Sequence, residues 1–511
     1  MKRALLSLAA VIAVIAVAGL TIGCAQADPN TKAENQGTLA VVMPSDARSL
    51  DPHATNDQPS ARVMKQIYDT LMYQTADLEV IPGLAESYEV VSETEFVFNL
   101  RQGVLFHNGE ELTASDVKFT FDRMRSEGAP AAFLFAALDE VEVVDDYTVR
   151  MTLNFAFGPF VTHLGHTAAS ILNETAVRAA GEDYGRNPVG TGPFKFTEWR
   201  SGDRITLDRF EDHYRGPAAS EQVVFRFIAE DANRAIALET GEADIVYDVG
   251  PNDFEELAAL DTVTAFQTQG LTTFYMGFNM NKEPFDDIRV RRAINYALNV
   301  EQATDVAFEG FATAARGPLA PMVQFARGDL PGYGYDPDRA RELLAEAGYA
   351  NGFSTSMWTN DNPVRVMYAE IFQEQLAAVG ITASIEIMEF APYLDRTAQG
   401  EHDMFMLGWV AVTGDADYGM YSLFHSSQFG DAGNRTFYRN EELDELLDLG
   451  KADPDPAARE AAYFRAQEIV FEDAPWVFLA FRDDLNATRS YVEGFQPHAA
   501  GHHILYQVRN N

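Results

Sequence analysis

The chain has 511 residues, 47% of them apolar, and its 38 basic and 77 acidic side chains give a formal charge of −39 at neutral pH. That length exceeds what one hydrophobic core organises, so two or more lobes of about 100 to 200 residues each are expected. An acidic excess on this scale excludes a nucleic-acid partner, repels anionic lipid and hydrates the surface, a balance suited to solubility and to a saline medium.

The chain opens with Lys2 and Arg3, an uninterrupted apolar run from Ala4 to Leu20, and small residues leading to Cys24. This is the form of an export signal. About 17 to 25 apolar residues would also suffice for an uncleaved membrane anchor. Cys24, the single cysteine, stands where the run ends, and Thr21-Ile22-Gly23-Cys24 resembles the lipobox of bacterial lipoproteins. Residues 1–24 are therefore read as a lipoprotein signal peptide with Cys24 as the lipid attachment point. One cysteine allows no internal disulfide, so core packing alone must hold the exported chain. Residues 25–37 are small and polar without apolar periodicity, and read as a flexible tether.

From Thr38 the pattern becomes regular. TLAVVMP predicts a strand, SLDPHATNDQPS a loop, and Val63, Ile67 and Leu71, one turn apart, a helix. Between Tyr88 and Asn154 strands dominate: Phe96, Phe98 and Leu100 alternate with polar residues, and VEVVDDYTVRMTL predicts a hairpin turning at Asp145-Asp146. Thr113 and Asp116 have the spacing of a capping box and start an intervening helix. The turn-rich PVGTGP, 188 to 193, marks a boundary between lobes. Beyond it FKFTEW, RITLDRF and QVVFRFI predict strands, and ANRAIALETG a helix stopped by Gly241. In the second half DPDRARELLAEAG has Asp336 as N-cap, Pro337 in the first turn and Gly348 past the end; VRVMYAEIFQEQLAAVG is a second helix ending at Gly380, and TASIEIMEF follows as a strand. This alternation predicts an α/β protein with largely parallel pairing.

Chemistry of the common enzyme classes is missing. The chain has no GxxxxGK[ST] phosphate loop, HExxH helix or GxSxG elbow, and no cysteine available as a nucleophile. His163/His166 and His502/His503 lack acids or thiols at metal-ligand spacing, and a calcium loop opening at Asp415 fails because its next ligand position is Gly419. No catalysis, metal or cofactor is expected. One stretch stands out: GWVAVTGDADYGMYSLFHS, 408 to 426, sets Asp415 and Asp417 among aromatic and aliphatic residues with no Lys or Arg inside it. Either these acids face water, or one awaits a cation from outside the chain.

Segments along the whole mature chain, in order, resemble the extracytoplasmic solute-binding family 5 of ABC importers. They include SLDP at 49, IPGLAESYEV at 81, FNLRQGVLFHNGEELTASDVKFTFDRM at 98, PVGTGPFKF at 188, GFNMNKEPFDDIRVRRAINYAL at 277 and YDPDRARELLAEAGY at 335. NGFSTSMW at 351 and GWVAVTGDADY at 408 are most similar to the glutathione- and dipeptide-binding branch. The resemblance implies a two-lobed periplasmic-binding-protein fold of class II that closes by a hinge, with an extra α+β subdomain on the first lobe. The expected parts are lobe I over 38–72, 188–272 and 482–511, the subdomain over 73–187, and lobe II over 273–481.

By its place in Gly-Asp-x-Asp, Asp415 is the residue the resemblance pairs with a peptide's α-ammonium, left uncompensated until ligand arrives. Trp409 and Tyr418 would supply flat walls. Arg365 is the candidate for bidentate capture of the peptide carboxylate, its alternative being a surface pair with Asp361 or Glu370. Asn56, Asp57, His166, Tyr275 and Asn279 are further candidates, with core packing the alternative for the last two. The expected protein is a monomeric lipoprotein outside the cytoplasmic membrane that captures short peptides, glutathione among them, for an ABC permease. Relatives of this architecture bind nickel chelates, haem or oligosaccharides, and that alternative stays open beside a second, an exported peptidase.

Overall fold

The computed structural model describes residues 37–127, 129–453 and 455–510; the expected signal peptide, Cys24 and the expected tether up to residue 36 lie outside them. Among the described residues no helix is long and apolar enough to cross a membrane. One sheet of eleven strands runs through both lobes. Its centre is a pair of long antiparallel strands, Val263–Phe278 and Trp476–Arg489. Outward from the second lie Ile245–Val246, Thr38–Met43, Gln222–Phe227, Arg204–Arg209 and Phe194–Arg200; outward from the first lie Met404–Val410, Phe353–Asn360 and Ile381–Met388.

The sequence of the first long strand explains how one element serves two environments. Val263 to Gln269 is partly solvent-facing, whereas Gly270 to Phe278 is buried on both faces, as its apolar run LTTFYMGF requires. The pairing between the two long strands slips between Gln269 and Thr273 and again between Phe274 and Tyr275. Parallel pairing does not predominate. Thr38–Met43 with Gln222–Phe227, and Phe353–Asn360 with Ile381–Met388, are parallel. The two long strands run in opposite directions, and Phe194–Arg200, Arg204–Arg209 and Gln222–Phe227 follow one another closely in the chain, so these pairs are antiparallel.

A separate antiparallel sheet of four strands, Ala85–Ser92, Glu95–Leu100, Thr148–Leu153 and Leu138–Asp145, packs against the helix Ala114–Glu127. Thr113 and Asp116 form the expected start of that helix: the Asp116 carboxylate accepts from the Thr113 amide at 3.0 Å. Asp336 caps its helix by accepting from the Arg339 amide at 2.9 Å. In PVGTGP a Cβ on Gly190 would sit 2.1 Å from the Ile67 carbonyl oxygen, and one on Gly192 2.5 Å from the Ile67 carbonyl carbon. The two glycines let this segment lie directly on the end of the helix Gln58–Ile67, where the Gly192 amide donates to the Ile67 carbonyl at 2.9 Å.

Candidate ligand-binding site

A cavity of about 210 Å³ lies where the two halves of the long sheet meet. Its first-lobe wall begins at the N-terminus of the helix Gln58–Ile67, capped by Asp57, whose carboxylate accepts from the Ser60 amide at 2.9 Å. Asn56 precedes the cap. Here Arg62 and Arg482 converge on Asp248, at 2.5 and 2.9 Å, and Arg234 pairs with Asp231. Burial alone would raise the Asp248 pKa, but the two guanidiniums outweigh it and hold the group far below the carboxylate range. Arg62, Arg482 and Arg234 are thus matched by acids of the same wall.

The second-lobe wall is different. Arg365, in the first turn of the helix Pro363–Ala378, reaches past Gly408, where a Cβ would stand 3.3 Å from its Nη2. Its Nη1 donates to Asn360 Oδ1 at 2.6 Å, its guanidinium lies 5.2 Å from the Phe274 ring centroid, and its buried Nε has no partner. No ion pair to Arg365 forms among the described residues, so the surface pairing with Asp361 or Glu370 is not made. Burial pulls its pKa down. A guanidinium held out of water without a counter-ion is destabilised unless an anion joins it.

Trp409 and Tyr418 stand together, ring centroids 5.1 Å apart, and both line the cavity. His166 Nδ1 accepts from the Ala168 amide at 3.1 Å, which puts the imidazole proton on Nε2. From there a directed chain runs: His166 Nε2 donates to the Tyr418 hydroxyl at 3.2 Å, and Tyr418 donates to Asn56 Oδ1 at 3.0 Å. It joins residues of both sides of the cavity and leaves Asn56 Nδ2 without a partner. Burial keeps His166 neutral, its pKa well below the ordinary value.

Three of the expected contacts stand elsewhere. Asp415 is 6% exposed and does not line the cavity. It caps the helix Ala416–Phe424 by accepting from the Asp417 amide at 2.9 Å, and both its oxygens accept from Arg459 Nη2, at 2.8 and 2.9 Å. The reading of an acid left uncompensated by the polypeptide is corrected: its cation arrives from the helix Pro456–Asp473, too far along the chain to be seen in the local stretch. Asn279 spends its amide on the carbonyls of Gly400 and His402, at 2.8 and 2.9 Å, and is a backbone staple. Tyr275 is fully buried behind the cavity, stacked on Trp476 at 3.5 Å between centroids, with its hydroxyl unpartnered. Asp417 is buried beside Asp415 and faces His163 Nε2 at 3.7 Å. Burial, reinforced by the Asp415 charge against Lys451 and Arg459, pushes its pKa up to about 7, and burial lowers His163 to about 4, so the contact joins an acid to a neutral imidazole.

Sequence reasoning missed Arg435 and Arg48. Arg435, 5% exposed, also lines the cavity; its one available signal was its place as the lone cation of QFGDAGNRTFY. Arg48 crosses the cavity to pair with Asp395 on the opposite lobe. The unpartnered buried polar atoms around the cavity are donors or hydroxyls: Asn56 Nδ2, Arg234 Nε, Arg365 Nε, Trp409 Nε1, Arg435 Nε, Arg482 Nε, Thr167 Oγ1 and Thr272 Oγ1. No carboxylate oxygen is among them. The site is therefore built to receive acceptors, anionic ones above all. Among the described residues no group of three or more His, Cys, Asp or Glu could hold a metal.

A two-lobed α/β body with a subdomain on one lobe and an enclosed, donor-rich cavity between the lobes is the architecture of a solute-binding protein. Residues 79–431 match the family described as bacterial extracellular solute-binding proteins, family 5 Middle, and the chain belongs to that family. It is 34% identical over 469 residues to the glutathione-binding protein GsiB of Pectobacterium atrosepticum, covering 89% of this chain and 90% of that one. Among solved structures it superposes with TM-score 0.87 and 32% identity on the periplasmic binding protein DppA of Helicobacter pylori in complex with the peptide STSA, covering 93% and 98% of the two chains. With the oligopeptide-binding protein AppA of Bacillus subtilis, in complex with a nonapeptide, the TM-score is 0.88 at 26% identity, over 93% and 99% of the chains.

Proposed function

We propose that the protein captures short peptides, glutathione among the candidates, and hands them to the permease of an ABC importer, without catalysing a reaction and with Cys24 as its lipid anchor. The observation that carries this reading is Arg365: a buried guanidinium with no acid of its own, over the Phe274 ring in a cavity that Trp409 also lines. A peptide carboxylate can take two parallel hydrogen bonds from such a fork, and the aromatic walls tolerate variable side chains. The names of GsiB, DppA and AppA support the same class of ligand.

Isothermal titration of the purified protein against glutathione, dipeptides, longer peptides and nickel chelates tests it. Peptide binding in the micromolar range, about −8 kcal/mol, is expected. Arg365→Gln should weaken peptide binding at least tenfold with little change in melting temperature. A protein that responds only to the chelates, or an Arg365→Gln variant with unchanged affinity, would overturn the reading.

A further inference from the structure

We propose that Arg435 is a second carboxylate receptor, so that the cleft selects peptides carrying two carboxylates rather than one. The proposal rests on the peptide reading of the same cavity and narrows it.

Its ground is the uneven distribution of counter-ions. On the first-lobe wall Arg62 and Arg482 share Asp248, and Arg234 holds Asp231. On the second-lobe wall Arg365 has no acid, and Arg435 has only Asp431, 3.8 Å away. That acid is 51% exposed and is also approached by Arg48 at 3.6 Å. Arg48 has Asp395 as its own acid, so Asp431, half-exposed and 3.8 Å away, is all that faces Arg435. Arg435 is otherwise buried and its Nε has no partner. Arg365 and Arg435 both line the cavity. Two guanidiniums removed from water on one wall, one with no acid and the other with a half-exposed acid 3.8 Å away, call for two incoming anionic groups.

The test uses three probes with the purified full-length protein: glutathione, with a carboxylate at each end; its glycyl ethyl ester, which keeps the glutamyl one; and 4-aminobutanoyl-Cys-Gly, which keeps the glycyl one. In the parent each single-carboxylate probe should bind at least tenfold more weakly than glutathione. Arg435→Gln should erase the penalty for losing one carboxylate and keep the penalty for the other, and Arg365→Gln should do the reverse. Arg435→Lys, which keeps the charge, should restore part of the lost preference if Arg435→Gln folds poorly. A parent indifferent to the second carboxylate overturns the proposal. So does erasure of the same penalty by both substitutions, which would mean a single carboxylate shared by the two arginines. Binding of Ala-Ala as tightly as glutathione would sink the two-carboxylate inference alone, whereas failure of every peptide to bind would sink the peptide reading itself.

Discussion

Asp415 has a partner that a local view of the chain does not show. In the stretch 408 to 426 an acid without a basic neighbour looks like a receptor, yet its partner comes from residue 459. Breaking a buried pair leaves a desolvated charge, so Asp415→Ala should cost about 3 kcal/mol of stability. The double change with Arg459→Met should cost less than the sum of the two single changes, a coupling read from denaturant titrations of the four proteins. Asp417 gives a pH signature. Its pKa is about 7 in the folded protein and lies near the ordinary carboxylate value when unfolded, so the folded state holds the extra proton between them. The stability it contributes is complete below the unfolded pKa and is lost as pH rises through 7. Relative to Asp417→Asn, the parent should lose about 3 kcal/mol between pH 5 and pH 8, at about 1.4 kcal/mol per pKa unit. Equal pH slopes for the two proteins would contradict this. Arg365 was legible as a candidate because a peptide must bring a carboxylate, and it does line the cavity. The partner of Asp415 and the isolation of Arg435 were not, since both depend on which distant side chains the fold brings near.

At the scale of elements, the strongest sequence signals were the local ones. Helix starts at Thr113 and Asp336 follow from a side chain that caps an amide three residues back (Asp116 on Thr113) or ahead (Asp336 on Arg339), and the hairpin at 145–146 from alternation on either side of a polar turn. Strand direction was less legible, because parallel or antiparallel pairing is fixed by where a strand returns in space and not by its own pattern. PVGTGP reads as a turn, but its glycines do more than bend: they allow backbone to touch backbone at Ile67. Gly190→Ala places a methyl within 2.1 Å of that carbonyl and should lower stability by 2 kcal/mol or more (about), because neither backbone can yield. Gly103→Ala, with open space around its Cβ but a left-handed φ of 72°, separates crowding from strain: its cost should stay near 1 kcal/mol (about) in the same thermal melts.

For the whole molecule, the cavity is closed by contacts that span it. Arg48 on the first lobe pairs with Asp395 on the second, and the chain from His166 through Tyr418 to Asn56 spans the same gap. Both belong to the closed arrangement, so Arg48→Ala should speed ligand release by about tenfold and leave the association rate nearly unchanged in stopped-flow measurements. The overall architecture was the most legible level of all, because matches distributed along the entire mature chain constrain topology more tightly than any single motif. The position of the cavity's charges was the least legible, being set by six separate stretches of sequence that meet only after folding.

The slips in pairing on the long strand Val263–Phe278 carry one more consequence. They fall at Gln269 to Tyr275, and Thr272 and Phe274, which floor the cavity, lie inside them. A ladder out of step is the easiest place for a sheet to bend, so a bend of this sheet would fall on the same few residues that floor the cavity. A variant that reshapes that floor is expected to alter the flexing of the sheet together with what the cavity admits.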